Sequence, residues 1–162
     1  SAELKNMADS CWKKSTIPFG PGVSVTKIVS SNGVVSFPEV QSEMEIINHS
    51  GTDSITITLL DTLPNNTPIN GETIPGNEYR IINHFGTNSL TANLTFKVDY
   101  QMTNFDELNP GNFLLFARDN NSDSVWNVIK HASFIDARDS TVTFDSVSRF
   151  GQLLVTRNLF EK

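Results

Sequence analysis

The chain has 162 residues and a formal net charge of −6, with 38% hydrophobic and only 19% charged residues. That length fits one domain, with at most a short appendage, and can bury a core without disulfides or metal. The acidic balance argues against a nucleic-acid or anionic-membrane partner, the scarcity of charged helix formers against a helical bundle, and 11 Phe against disorder.

The chain opens on a helical pattern. Leu4, Met7, Ala8, Cys11 and Trp12 share one face, with Glu3 in the first turn and Lys13 and Lys14 in the last. Two prolines and two glycines in Ser15–Gly22 then end the helix, so residues 1–22 read as a helix and linker and 23–162 as the main module. Cys11 is the only cysteine, which excludes an intrachain disulfide and fits a small apolar residue on that face. The opening residues lack the basic, apolar and small pattern of a secretory signal, as expected of a cytosolic chain or of a piece of a longer one. No apolar run reaches the roughly 20 residues of a membrane span.

From Val23 the period changes to two. Strands are expected around Val23–Val29, Val34–Phe37 and Met44–Ile47, ended by Pro38 and by Asn48-His49-Ser50-Gly51. Ser54–Leu59 alternates apolar with hydroxyl residues, so one face meets a core and the other water. Asp61–Asn77, with three prolines and two glycines, reads as a long loop. Strands follow at Tyr79–Asn83, Leu94–Tyr100, Phe113–Phe116, Val125–Ile129, Thr141–Phe144 and Gln152–Thr156, and Thr103–Gly111 reads as a turn. About ten short strands with turn signals between them define an all-β fold. The expected architecture is an antiparallel β-sandwich with Greek-key, jelly-roll-like connections and a short N-terminal helix.

The order of these landmarks carries a resemblance. Tyr79-Arg80-Ile81-Ile82-Asn83, Asn93-Leu94-Thr95-Phe96, Pro110–Arg118, Trp126, Ser140–Phe144 and Ser146–Gln152 together resemble a β-sandwich module of large exported Bacteroidetes-type proteins. The resemblance covers Val23 to Asn158. Ser1–Ala8 is similar to the helix that closes a laminin-G or concanavalin-like jelly roll in such proteins. The resemblance implies export to the cell surface or medium, probing no chemistry of its own. It implies a non-catalytic place between a ligand-binding jelly roll and a C-terminal sorting domain. Asp61-Thr62-Leu63, in the proline-rich loop, is the best placed of several triplets resembling the Asp–Ser/Thr–aliphatic acceptor of O-glycosylation in these bacteria.

Candidate chemistry is sparse. Asp119, Asn121 and Asp123 take the first, third and fifth places of an oxygen cage suited to calcium, but Ser124 replaces the usual glycine and no Glu closes the loop. The same residues also suit a polar hairpin tip. No other cofactor is suggested. His49, His84 and His131 each follow a strand and lack the close pairing of zinc ligands. Asp106, Glu107, Asp136, Asp139 and Asp145 are carboxylates in turns, where solvation or Asx-turn formation is expected rather than a glycosidase pair. Tyr79, Tyr100 and Trp126 lie in apolar-patterned strands and are expected in the core, while Phe85 and Phe105 sit in loops. The expected function is a non-catalytic accessory, adhesion or spacer module of a secreted or cell-surface multidomain protein, partnered by its neighbouring domains. The alternative is a carbohydrate-binding module that targets a linked polysaccharide-degrading enzyme.

Overall fold

Alternation of apolar and polar residues gives each strand one buried and one outward face, and two such sheets close on each other. The computed structural model describes residues 22–68 and 72–158. The expected N-terminal helix, with Cys11 and Trp12, and most of its linker lie outside the described residues. Twelve strands are present among the described residues: β1 (Val23–Val29), β2 (Gly33–Phe37), β3 (Ser42–Asn48), β4 (Asp53–Leu60), β5 (Glu72–Thr73), β6 (Tyr79–Phe85), β7 (Thr91–Lys97), β8 (Phe113–Arg118), β9 (Asn127–His131), β10 (Phe134–Asp136), β11 (Thr141–Val147) and β12 (Gly151–Asn158). One sheet runs β1-β4-β6-β12-β8-β9, with β5 added beside β12, and the other runs β10-β11-β7-β3-β2. Every strand pair is antiparallel. The last strand, β12, inserts between β6 and β8, the non-sequential pairing of a Greek key. The fold is therefore the expected all-β antiparallel sandwich.

Between the sheets lies the main core, which includes Phe37, Met44, Ile55, Ile57, Ile82, Leu94, Phe96, Leu115 and Phe144. A smaller cluster forms on the outer face of the larger sheet: Tyr79, Leu114, Phe116, Trp126 and Leu154. Strand β8 is consequently buried on both faces, which explains its unbroken apolar run.

Three local features depart from the sequence expectation. Strand β7 stops at Lys97, because the Tyr100 N–H turns back to the Val98 carbonyl at 2.9 Å and leaves the ladder. Tyr100 is thus half-buried beyond the strand rather than within it. Strand β10 has only three residues, too few for a period to register. The turn beginning at Thr103 contains a short helix, α1 (Asn104–Leu108), set by a capping box in which Thr103 and Asp106 bond each other's backbone N–H. Asp106 is buried rather than solvated. Its Oδ1 accepts from Arg157 Nε at 3.0 Å and lies 2.9 Å from Arg157 Nη2, tying α1 to β12. Replacing Thr103 with Ala is expected to lower unfolding free energy by about 1 kcal/mol, the usual cost of a lost cap, read from the urea midpoint at constant slope.

Candidate ligand-binding pocket

One end of the sandwich gathers the end of β4, the start of β6, the end of β7 and the β10–β11 turn. These enclose a cavity of about 600 Å³ whose wall includes Asp61, Gly76, Glu78, Lys97, Asp99 and Tyr100. A smaller hollow of about 400 Å³ shares Gly76 and Tyr100 with it, so the tyrosine stands between two concavities. Tyr100 is held there by an edge-to-face contact with Phe113, centroids 6.1 Å apart.

Two buried charges pair at this end, Glu78 in the cavity wall and Arg80 in the core. Arg80 shares the inward face of β6 with Ile82, which brings its guanidinium 4.5 Å over the Phe96 ring. Its Nε donates to Ser42 Oγ at 2.9 Å, and Nη2 donates to the Lys97 and Gln41 carbonyls at 2.9 and 3.2 Å. Glu78 Oε2 lies 3.2 Å from the same Nη2, and its side chain is only 8% exposed. Both Nη2 hydrogens also serve carbonyls, so Oε2 is held by Arg80 mainly as a close ion pair, in a position closed to solvent. Burial pushes the Glu78 carboxyl above its ordinary range, opposed by Arg80 and reinforced by the carboxylates of Asp61 and Asp99. Burial likewise lowers the Arg80 guanidinium to about 10, with Glu78 opposing. An ionised carboxylate that is nearly dry and short of a donor is costly. The accessible wall of the pocket offers the Asp61 and Asp99 carboxylates as hydrogen-bond acceptors and Tyr100 as an apolar edge.

The opposite end of the sandwich holds a second cluster. Asp53, at the start of β4, accepts from Asn88 Nδ2 at 2.9 Å and lies 2.7 Å from His84 Nε2 and 4.0 Å from His49 Nδ1. His49 also sits 3.3 Å from the Ser89 carbonyl. The hydrogen bond with His84 holds the Asp53 carboxyl below its ordinary range, with Asn88 and the charges of His84 and His49 acting the same way against desolvation. Two of the three strand-end histidines thus converge, joining the β3–β4 and β6–β7 turns. His131 stands apart, 3.1 Å from the Gly111 carbonyl.

The oxygens expected to suit calcium have other neighbours. Asn121 Oδ1 accepts from Gln152 Nε2 at 2.7 Å and lies 3.5 Å from Arg118 Nη2, while the Asp123 carbonyl accepts from Arg118 Nη1 at 3.0 Å. Asp123 Oδ1 accepts from the Val125 N–H at 3.0 Å, and Asp119 Oδ1 is 3.5 Å from Arg149 Nη2. The turn is wrapped round a guanidinium. Among the described residues, no three His, Cys, Asp or Glu side chains are grouped to hold a metal.

The remaining turn carboxylates are separated by role. Asp136 Oδ1 forms the expected Asx-type contacts, accepting from the Arg138 and Asp139 N–H groups at 3.0 and 3.2 Å. Glu107 Oε2 accepts from the Ala137 N–H at 2.8 Å. Asp145 is exposed on β11. Tyr79 and Trp126 are buried as expected, but in the outer cluster, and Trp126 precedes β9 rather than lying in it. Phe85 and Phe105 are exposed, and so is Thr62 of the Asp61-Thr62-Leu63 triplet. No described helix is long and apolar enough to cross a membrane. Comparison of the chain with protein-family models, curated proteins and solved structures gives no match.

Proposed function

We propose that the chain is a non-catalytic accessory module of an exported multidomain protein and that it acts by binding a carbohydrate at the Glu78–Tyr100 pocket. The observation that carries this reading is a cavity of about 600 Å³ whose wall combines the Asp61, Glu78 and Asp99 carboxylates with the half-buried ring of Tyr100. Sugar recognition combines hydrogen-bond acceptors for hydroxyls with an aromatic edge for the ring's C–H surface, and the volume falls in the range of small-ligand sites. The ordered landmarks between Tyr79 and Gln152 support the placement in an exported protein.

Affinity electrophoresis of the soluble chain through gels containing plant, algal and bacterial polysaccharides tests the reading. Retardation by at least one polysaccharide is expected, and Tyr100→Ala should weaken it by roughly 10-fold, the loss of about 1.4 kcal/mol of aromatic contact. Free migration through all of them leaves a spacer or adhesion role as the surviving reading.

A further inference from the structure

We propose that Asn32 is a site of spontaneous covalent modification: the backbone nitrogen of Gly33 closes on the Asn32 side chain and leaves aspartate or isoaspartate in the β1–β2 turn. The site is remote in kind from the pocket and stands whatever the pocket binds.

The turn leaves both reacting groups open. Ser30, Ser31, Asn32, Gly33 and Val34 are all exposed. The Asn32 amide has no hydrogen-bond partner among the described residues. Other asparagine amides are held: Nδ2 of Asn88 by Asp53, that of Asn93 by Glu45 and that of Asn65 by the Asn121 carbonyl. Gly33 presents no side chain to fend off the attack. A Cβ there would meet nothing within 4 Å, and its φ of +132° is one that glycine adopts freely. The other Asn-Gly pair of the chain, Asn70-Gly71, lies outside the described residues. In the step itself, Gly33 N gives its proton to solvent and bonds to Asn32 Cγ. The Cγ–Nδ2 bond breaks, and ammonia leaves with a proton taken from solvent. Water then opens the cyclic imide. Attack at Cγ restores the ordinary backbone as aspartate, and attack at the main-chain carbonyl routes the backbone through Cγ as isoaspartate. Either product adds one negative charge. Isoaspartate also inserts a methylene into the backbone, at a place where length matters. Strand β1 is an edge of one sheet and β2 an edge of the other, and the β2 register begins at Gly33 opposite Ile46.

Incubating the full chain in mildly alkaline buffer made with heavy-oxygen water, followed by peptide mapping, tests the site. Asn32 is expected to become an acid carrying one heavy oxygen, with isoaspartate as the larger product. Its rate in the folded chain should match that of the same chain in urea, because the turn is already open, whereas Asn88 and Asn93 should convert only in urea. Gly33→Ala should slow the conversion, since a methyl group crowds the attacking nitrogen. Asn32→Gln, which closes the ring far less readily and leaves the Gly33 backbone unstrained, should lose the signal at this position. The converted chain, separated by its extra charge, should show faster amide hydrogen exchange at Val34–Phe37 than the unconverted chain. An Asn32 that stays intact in the folded chain while converting in urea overturns the proposal, because the turn is then held closed. Acid at Asn32 without isoaspartate, at a rate unchanged by Gly33→Ala, overturns it as well, because water has then attacked the amide directly. Unchanged exchange in β2 overturns the coupling to the strand register.

Discussion

Replacing Arg118 with Met is expected to lower unfolding free energy by roughly 3–5 kcal/mol, the range for removing one member of a buried polar network. Arg118 is fully buried at the end of β8, on the same outward face as Leu114 and Phe116. Its guanidinium lies 4.3 Å over the Trp126 ring. It donates to Gln152 Oε1 at 2.7 Å, to Asn65 Oδ1 at 2.6 Å and to the Asp123 carbonyl at 3.0 Å. One side chain thus pins the loop after β4, the turn after β8 and strand β12. Two effects oppose each other in the variant. Burial pushes the guanidinium's pKa down, so removing the charge recovers some desolvation cost. Against that, three acceptors lose their donor at about 1–3 kcal/mol for each left dry, and the stacking on Trp126 is lost. The second effect is larger because methionine fills the volume but donates nothing. Chemical denaturation should show the shift, and Trp126 emission should move to the red as its Nε1 bond to the Asn66 carbonyl, 2.7 Å long, loosens. Arg118→Lys should recover less than half of the loss, since an ammonium lacks the planar fork. A change below about 1 kcal/mol would mean that the loops are held by the apolar cluster alone.

Arg118 and Arg80 also mark what sequence periodicity exposes and what it hides. Alternation by two places Arg118 with Leu114 and Phe116, and Arg80 with Ile82, so both arginines stand at apolar-patterned positions that charged residues seldom occupy. That pattern was legible. Their partners were not, because most are carbonyls and amides contributed by distant turns, and a carbonyl has no sequence signature. The strands were legible for the same reason in reverse: burial follows local alternation, which needs no knowledge of neighbours. Pairing order did need it. His49 and His84 meet only because β4 lies beside β6 in one sheet and β3 beside β7 in the other. Spacing along the chain therefore separated two residues that the Greek key joins. Glu78 was hidden likewise, standing beside a proline-rich loop where an acidic residue is ordinarily solvated. The Asp119–Asp123 spacing was conspicuous, but that the Asn121 amide oxygen and the Asp123 carbonyl lie against the guanidinium of the preceding Arg118 was not.

The second large effect is expected at Gly86. Gly86 has a φ of +147°, and a Cβ there would overlap Asp53 Oδ1. Gly51, on the facing turn, stands in the same relation to the Asn88 side chain, with a φ of +95°. Each glycine makes room for the other turn's polar group. Gly86→Ala should cost roughly 1–3 kcal/mol from backbone strain alone, and more as the carboxylate is driven off its partners. A pH series separates these two contributions. Asp53 has a folded pKa below its ordinary value of 3.8, so the stability it contributes is fully present above that value. It is lost as pH falls through the lower folded pKa. The wild-type chain should therefore lose stability in that acid window. Gly86→Ala, with Asp53 displaced from His84 and Asn88, should lose less there, and Asp53→Asn should lack this contribution altogether. Equal acid sensitivity in the wild type and Asp53→Asn would assign the acid response to other groups. Equal sensitivity in the wild type and Gly86→Ala would show that the β6–β7 turn shifts as a unit and carries His84 and Asn88 with the carboxylate, so that the cost of Gly86→Ala is one of backbone conformation.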